Sequence, residues 1–476
     1  MISLFFRRGS SGVSVIGYGA GLCLVVALTA GGVRAQGFDV YEQSACAMGR
    51  AETGVAAPCG DGSTILYNPA GLVGQPGWSA SAGVTLIRPV GGFTDDATGQ
   101  TFDGDDAALP APHAYLRYGA GRWAAGLGVL SLYGLRTRWE NPDTFIGRFL
   151  SYDSALESIY FQPTIAYRIS DRLALGAGFD VVVSTVELNQ RIDLGPVPAL
   201  APGVPPGTTF EQLGIPPGTD FADAHLEGDP ATGFGGHVGA LLRLTDRIRL
   251  GARYLSPVTI EYEGDAVFEP VETGIVLPEG NPLGLPAGTS LDAVVAGIGF
   301  FESFLAPQAV STEVTLPAQF VVGLSLAPAP PLLLLFDYQW TGWSTFDVIV
   351  LDFETAPDDV SPQNYRDTST LRIGAEYALS PGLRVRAGYA FSEAATPNET
   401  VTPLLPEADR NHFTVGLGWD LAPGFALNAS YRYLDQQDRR GRIRDPLPGA
   451  EPTVALNSGV YRFNGHLLAT TLTARF

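Results

Sequence analysis

Apolar and polar residues alternate along much of the chain, most clearly in two segments that flank Ser380-Pro381-Gly382. Apolar or small residues occupy every second position from Leu371 to Tyr377, and again from Leu383 to Phe391. A period of two puts successive side chains on opposite faces of a β-strand, and a Ser-Pro-Gly sequence favours a tight turn. The pattern therefore predicts an antiparallel hairpin with one apolar face.

The same alternation recurs from residue 78 to the end of the chain and predicts an all-β fold. Fourteen strands are expected near 78–89, 111–119, 122–133, 157–169, 172–189, 232–244, 248–264, 313–326, 331–350, 368–379, 382–392, 411–421, 424–436 and 464–476. Six short turns alternate with seven long connections, which include the loops near 190–231 and 265–312. This arrangement fits a 14-stranded antiparallel transmembrane β-barrel over residues 78–476, with long extracellular loops and both termini in the periplasm.

The last strand carries a further signal, because Phe476, Ala474, Leu472, Thr470 and Leu468 share one face. A terminal aromatic residue on an alternating strand resembles the signal that barrel assembly machinery reads in outer-membrane proteins. The alternative is an ordinary last strand of a soluble β-sandwich.

The first 35 residues have the order of a secretory signal peptide. Arg7 and Arg8 precede a largely apolar run, and Val33-Arg34-Ala35 supplies a small-residue cleavage site. Cleavage after Ala35 would leave Gln36 as the first mature residue. A single anchoring helix is the alternative, but the run is short and contains glycines.

Beyond this segment, the sequence contains no uninterrupted apolar run of the ~20 residues that a spanning helix needs. Yet 45% of the residues are hydrophobic and only 16% are charged, which fits a barrel whose lipid-facing and lumen-facing residues alternate. Loss of three signal-peptide arginines leaves 26 basic residues against 49 acidic ones, a charge of −23. A protein with this negative charge disfavours binding to nucleic acid and does not attract anionic ligands electrostatically. Attraction of a ligand must therefore be mainly hydrophobic.

The loop at 265–312 contains an apolar helical stripe. Ser290 is a candidate helix cap, and the residues after it with helical spacing are Leu291, Val294, Val295, Ile298, Phe301 and Leu305. Two interpretations remain open. The stripe packs into a small core that folds the loop over the barrel mouth, or forms a landing groove for apolar ligands, and both can hold at once.

Residues 36–77 lack barrel alternation, are rich in glycine and alanine, and are expected to fold into the lumen as a hatch. Here the chain resembles the FadL/TodX-type outer-membrane transporters of fatty acids and aromatic hydrocarbons. The resemblance spans nearly the whole mature chain and rests on the order of Gly37-Phe38, Gly49-Arg50-Ala51, Asn68-Pro69-Ala70, Leu316-Pro317 with Gly323, Trp340-Thr341-Gly342-Trp343-Ser344, Arg366-Asp367-Thr368, Arg372 to Tyr377, Leu383 to Tyr389, and Leu405-Pro406 with Asp409-Arg410.

The resemblance implies a fourteen-stranded barrel whose hatch carries the motif Asn68, Pro69 and Ala70. It also implies a path from an extracellular groove to an apolar pocket at Phe38, and then sideways through a gap made by a kinked strand. Gly126 and Gly128 in the third strand are candidates for that kink, since glycine weakens strand pairing, although ordinary barrel packing explains them as well. Sideways exit keeps each methylene out of water, at ~0.8 kcal/mol each.

Cys46 and Cys59 fall in the hatch, and Cys23 leaves with the signal peptide. Two thiols in an oxidising compartment are expected to form a disulfide, which would stiffen the hatch. This pairing is not a requirement of the family.

Seven arginines are expected on the non-lipid face of the strands, mostly paired with barrel acids such as Glu376: Arg249, Arg253, Arg372, Arg384, Arg386, Arg432 and Arg475. The five histidines are scattered, without metal-ligand spacing, and no nucleophile elbow or phosphate loop is recognisable. We therefore expect no enzyme, no metal and no cofactor.

The function predicted from sequence is passive uptake of hydrophobic compounds, such as long-chain fatty acids or related hydrocarbons, across the Gram-negative outer membrane. The expected partners are such a molecule, outer-membrane lipid and the barrel assembly machinery, and the protein is expected to be a monomer. A general diffusion porin and an adhesin-like surface barrel are the alternatives. A porin predicts a lumen without a plug, and an adhesin predicts that only the loops contribute to function.

Overall fold

The computed structural model describes residues 37–199, 204–303, 305–443 and 458–476. The predicted signal peptide at 1–35 lies outside these residues. Fourteen strands form the barrel wall: β1 Gly77–Asp95, β2 Leu109–Ala120, β3 Trp123–Leu130 and Gly134–Arg138, β4 Asp153–Arg168, β5 Leu173–Asp193, β6 Asp220–Gly228 and Ala231–Arg243, β7 Ile248–Leu255 and Val258–Pro270, β8 Gln308–Leu316 and Gln319–Ala329, β9 Leu332–Thr341, β10 Thr368–Ser380, β11 Leu383–Ser392, β12 Arg410–Ala422, β13 Phe425–Gln436 and β14 Gly459–Arg475.

Each strand pairs antiparallel with its sequence neighbours, and β1 also pairs with β14 from Ser79 opposite Arg475 to Asp95 opposite Gly459. The sheet is therefore a closed ring, which confirms the predicted 14-stranded barrel. Along β12, Phe413, Val415, Leu417 and Trp419 are exposed on the outer wall, whereas the side chains between them point inward. This alternation is the signature of a wall with a lipid face and a polar interior.

The six predicted tight turns are found at one end of the barrel, which we call the turn end. The opposite, loop end carries four short strands that extend the sheet: Thr101–Asp103, Val348–Phe353, Asp359–Pro362 and Arg439–Gly441. The α-helices are α1 Ala45–Met48, α2 Thr64–Tyr67 and α3 Leu291–Gly297, and 3₁₀ turns lie at Pro69–Gly74, Glu211–Leu213, Trp343–Thr345 and Asn398–Thr400.

Among the described residues, no helix is both long enough and apolar enough to cross a membrane.

Several strands are longer than predicted, and β6, for example, begins at Asp220, inside the predicted loop near 190–231. Two further differences concern the third and ninth strands. The third was expected to run unbroken over 122–133, but its ladder stops at Leu130 and resumes at Gly134. The ninth was expected to reach residue 350, but β9 ends at Thr341 and a 3₁₀ turn follows. The reason in the second case is packing, because that turn buries Trp343 completely.

Candidate functional site

The N-terminal segment, residues 37–76, lies among the inward side chains of the barrel, and Asn68 is one of its main anchors. The Asn68 side-chain NH₂ group donates to the carbonyl oxygens of Val55 at 2.6 Å and of Ala240, on β6, at 2.9 Å. Its side-chain oxygen accepts from the Ala70 N–H at 3.1 Å and caps the 3₁₀ turn at Pro69–Gly74. The Asn-Pro-Ala sequence therefore fixes the segment to the wall.

Two wall glycines allow this close approach. A Cβ atom at Gly239 would overlap the Asn68 side chain, and one at Gly176 would overlap the Pro69 backbone. Asn68 and Ala70 have no solvent exposure, and Pro69 is buried as well. The structure thus places this predicted site motif in a packed contact with the wall and away from the cavity described below.

Charged pairs fill the turn-end half of the lumen around the N-terminal segment. The buried Arg432 guanidinium contacts the carboxylates of both Glu42 and Glu52. The Asp337 carboxylate accepts from the backbone N–H groups of Gly54 at 2.9 Å and Val55 at 3.1 Å. Charge-assisted hydrogen bonds of this kind hold the segment tightly and make this half of the lumen polar.

Besides Arg432, two of the predicted inward arginines pair with acids, as expected, and two others contact uncharged partners. Arg386 pairs with Glu376 at 2.6 Å, as predicted, and Arg384 pairs with Asp420 at 3.0 Å. Arg253 donates to the Gln319 side chain at 2.9 Å, and Arg372 to the Gln339 side chain at 2.9 Å. These arginines are held by partners in the lumen.

Asp39 of the N-terminal segment is near the side-chain NH₂ groups of Gln319 at 3.2 Å and Gln339 at 3.4 Å. Burial raises the pKa of its carboxyl group to about 7, with a further rise from the charge of Glu42, against the lowering effect of Arg372. The group therefore titrates near neutral pH.

Cys46 and Cys59 are joined by a disulfide across the N-terminal segment. Both are buried, and the Asp61 carboxylate beside them accepts from the hydroxyls of Ser44 and Ser63, at 2.5 Å each. The disulfide closes a loop with a sequence separation of 13, which limits the conformations that the segment can reach.

An apolar cavity lies toward the loop end, on the other side of Phe38 from the packed segment. It contains about 860 Å³ of empty space, including its open mouth. Its apolar lining residues come from the loop-end halves of β3 to β8 and from the loops: Phe38, Leu135, Ala155, Leu156, Val186, Leu188, Leu226, Tyr262, Val310, Val314, Phe346, Ile349, Leu351, Tyr365, Leu404 and Leu405. The size and lining suit a small apolar ligand.

Phe38 forms one wall of this cavity within an aromatic cluster. Its ring centroid lies 4.7 Å from that of Trp343, 5.4 Å from that of Phe346 and 6.2 Å from that of Tyr133, all edge-to-face. Phe38 is only 5% exposed. The sequence placed Phe38 at a pocket, and the geometry does so as well.

A few polar residues also contribute to the lining of the cavity. Glu187, which contributes to the lining, accepts from Arg136 at 3.1 Å, and Arg136 also pairs with Asp153 at 2.8 Å. The cavity thus offers an apolar interior with charged groups beside it, an arrangement that suits an amphiphile with a long hydrocarbon tail.

The interruption in β3 is closed by the N-terminal segment. Gly134 donates its N–H to the Phe38 carbonyl at 3.0 Å, and Val40 donates its N–H to the Leu132 carbonyl at 2.8 Å. Residues 38–40 therefore pair with the broken edge like a short added strand. On the β2 side of β3, the ladder ends where His113 lies opposite Leu130, so it also stops before the break.

The candidate kink glycines Gly126 and Gly128 lie in regular strand, and the interruption of β3 lies a few residues further along. Both glycines lie in unbroken ladders with β2 and β4, and the break comes after Leu130. A Cβ atom at Gly126 would lie 2.8 Å from Ile65 Cδ1, so this glycine makes room for the N-terminal segment. Pro110 and Pro112 on β2, which cannot donate to a ladder, are the signal that could have located the break.

The loop-end residues predicted as a landing groove pack against the other long loop. Ser290 caps α3 as predicted by accepting from the Asp292 N–H at 3.2 Å, but the helix ends at Gly297, before Phe301 and Leu305. Leu291 and Val295 are buried, and the other four members of the stripe, Val294, Ile298, Phe301 and Leu305, are partly buried in the same cluster. That cluster also holds Leu194, Phe210 and Ile215 of the first loop. The two loops thus share a small apolar core.

Comparison with known proteins gives consistent matches over nearly the full chain. The long-chain fatty acid transport protein of Escherichia coli O6:H1 (strain CFT073) is 26% identical over 428 residues, which cover 87% of this chain and 90% of the relative. Outer membrane protein P1 of Haemophilus influenzae (strain Rd) is 23% identical, with 87% and 89% covered.

Solved structures match the fold. The crystal structure of a Pseudomonas aeruginosa FadL homologue aligns with a TM-score of 0.73 at 21% identity, over 93% of this chain and all of that one. The Pseudomonas putida toluene transporter TodX aligns with a TM-score of 0.66 at 17% identity, over 93% and 100%. The family model described as outer membrane protein transport protein (OMPP1/FadL/TodX) matches residues 26–476, and the chain therefore belongs to this family.

Proposed function

We propose that this protein takes up hydrophobic compounds passively across the outer membrane of a Gram-negative bacterium. The apolar cavity at Phe38 carries this proposal, because its lining is almost entirely apolar and suits the burial of a hydrocarbon group. Relatives named as transporters of long-chain fatty acids and of toluene support the substrate class. The protein is a transporter and has no enzymatic role.

In the proposed path, the loop end faces the cell exterior, and the partly exposed members of the stripe, Val294, Ile298, Phe301 and Leu305, capture the ligand. The ligand then enters the cavity, where its tail contacts Phe38 and Phe346. It leaves sideways at the β3 break after residues 38–40 have moved aside. Exit into the bilayer avoids exposing the tail to water, which would cost ~0.8 kcal/mol for each methylene.

The N-terminal segment serves as the hatch in this proposal, and Asn68, Pro69 and Ala70 hold it in place. Gly126 and Gly128 contribute by letting the segment pack against β2 to β4. The wall contacts outer-membrane lipid, and the barrel assembly machinery reads the last strand with Phe476. A closed ring leaves no strand edge to pair, so a monomer is sufficient.

The alternatives make different demands on the lumen. A general diffusion porin needs a continuous aqueous path, whereas the described N-terminal segment fills the turn-end half of this barrel with buried ion pairs. An adhesin-like barrel has no use for a large apolar cavity inside the wall. Both observations favour transport of apolar molecules.

The test is flux into vesicles that contain the purified full chain, with labelled oleate, a labelled aromatic hydrocarbon and a small sugar as probes. We expect faster entry of an apolar probe than into empty vesicles, without sugar leakage. Sugar flux alone would make the protein a porin, and no flux of any probe would favour the adhesin.

A further inference from the structure

A second interruption of the wall lies between β6 and β7. These strands pair from Arg243 opposite Arg249 to His237 opposite Leu255, and again from Gly228 opposite Gly264 onward. Between the two ladders, residues 229–236 face residues 256–263, and no ladder joins them although all of them are described. We call this gap the β6–β7 seam.

Only the two ends of the seam have recorded backbone hydrogen bonds. The Ser256 N–H donates to the Gly236 carbonyl at 2.9 Å, and the Asp229 N–H donates to the Glu263 carbonyl at 2.8 Å. The β6 side of the seam contains glycines at 233, 235 and 236, and glycine in a strand interior weakens pairing.

Side chains from β7 seal the seam. A Cβ atom at Gly233 would lie 2.5 Å from Val258 Cγ1 and 2.8 Å from Ile260 Cγ1. Val258 is 1% exposed and Ile260 has no exposure. Two inward-facing aliphatic side chains therefore pack against the glycines of β6 on the lumen side of the seam.

The loop-end edge of the seam lies beside the cavity. On the inside, Gly228, Tyr262 and Gly264 at this edge all line the cavity. On the outside, Phe234 is 62% exposed, and its ring centroid lies 5.9 Å from that of Phe179, which is also exposed. Apolar side chains thus lie on the lipid face of the seam, and the cavity reaches its loop-end edge.

The β3 break differs in how it is closed. There, residues 38–40 of the N-terminal segment hydrogen-bond to the broken edge, so opening requires that segment to move. At the seam, opening requires that Val258 and Ile260 move and that the backbone hydrogen bonds at its two ends, Ser256 to Gly236 and Asp229 to Glu263, lengthen or break. These are fewer contacts than hold the N-terminal segment, which a disulfide and buried ion pairs also keep in place.

We propose that the β6–β7 seam is a second side passage between the cavity and the bilayer, which apolar ligands use without movement of the N-terminal segment. The inference rests on the proposed function, because it assumes that a hydrocarbon ligand occupies the cavity.

Two engineered disulfides separate the routes. Val40→Cys with Gly134→Cys pins the N-terminal segment to β3, since a Cβ atom at Gly134 would lie 3.6 Å from Val40 Cγ2. Gly233→Cys with Val258→Cys closes the seam. Oleate flux into vesicles is measured for the wild type, each double variant and the quadruple variant, before and after reduction. The wild type with and without reductant controls for the native Cys46–Cys59 disulfide.

With the N-terminal segment pinned, we expect at least one third of the wild-type oleate flux to remain. Pinning the seam as well should lower that flux to the level of empty vesicles, and reduction should restore it. The inference is overturned if pinning the N-terminal segment alone abolishes flux, or if pinning the seam leaves the remaining flux unchanged. A wild type without oleate flux would instead contradict the proposed function, and the inference with it.

A second variant tests the seal without any cross-link. Val258→Ala with Ile260→Ala shortens both sealing side chains, and oleate flux with the N-terminal segment pinned should rise at least twofold. Heat-modifiable migration on a gel confirms that the barrel has folded. An unchanged or lower flux in the folded variant would contradict the proposal.

Discussion

The two halves of the lumen are built on the same fourteen strands but hold opposite chemistry. The loop-end half is lined by aliphatic and aromatic side chains such as Leu156, Val186 and Val310. The turn-end half is packed with ion pairs, such as Arg432 with Glu42 and Glu52, around the N-terminal segment. To move from the cavity to the turn end of the lumen, an apolar ligand would have to displace buried charges, which is unfavourable. The difference between the two halves therefore implies that the exits of the ligand lie in the wall.

The largest effect should come from filling the apolar half. Val186→Trp puts an indole into the cavity, and we expect oleate flux to fall about tenfold or more, because each excluded methylene forfeits ~0.8 kcal/mol of burial. Val183→Trp on the lipid face of the same strand is the matched control and should keep wild-type flux. Equal flux in the two variants would mean that the cavity is not on the path.

Removing charge from the polar half should affect stability and leave ligand binding nearly unchanged. Arg432→Met leaves Glu42 and Glu52 buried without their cation, and the free energy of unfolding should fall by about 3–5 kcal/mol. Arg462→Met, at an exposed pair with Asp438, should cost about 1 kcal/mol or less. Oleate affinity of the folded Arg432 variant should stay within twofold, and a larger loss would place ligand in the polar half.

The anchor of the N-terminal segment gives a smaller effect. Asn68→Ala leaves the buried carbonyls of Val55 and Ala240 without their donor, at a cost of about 2 kcal/mol. Amide hydrogens of residues 64–74 should exchange faster, as measured by mass spectrometry. The half-buried Asn411, whose side chain accepts from Tyr389, supplies the control Asn411→Ala. Unchanged exchange in the Asn68 variant would show that other contacts hold the segment.

The smallest effect concerns pH. Because the pKa of Asp39 is raised in the folded protein to about 7, its contribution to stability is complete below about pH 4 and is lost as pH rises through 7. Between pH 6 and 8, the wild type should lose about 1.4 kcal/mol of unfolding free energy relative to Asp39→Asn. Denaturant unfolding at both pH values measures this, with Asp438→Asn as the exposed control. Parallel pH profiles of wild type and Asp39→Asn would be evidence against a raised pKa.

The strands were predictable because alternation is a local property that every half-buried strand carries. The tight turns followed from Gly, Pro, Asp and Ser, and Ser290 marked the start of α3. The interruptions of the wall were not predictable in this way, since the β3 break depends on residues 38–40 and the β6–β7 seam on Val258 and Ile260. Gly126 shows the same limit, because a glycine that makes room for Ile65 looks, in sequence, like one that bends a strand.

The most direct test of the division between the two halves is photo-crosslinking with a fatty acid that carries a diazirine on its tail, followed by mapping of the modified peptides. We predict labels on the cavity lining, at Leu156, Val186 or Val310, and loss of those labels in Val186→Trp. Labels concentrated around Arg432 and residues 45–74 would contradict the account.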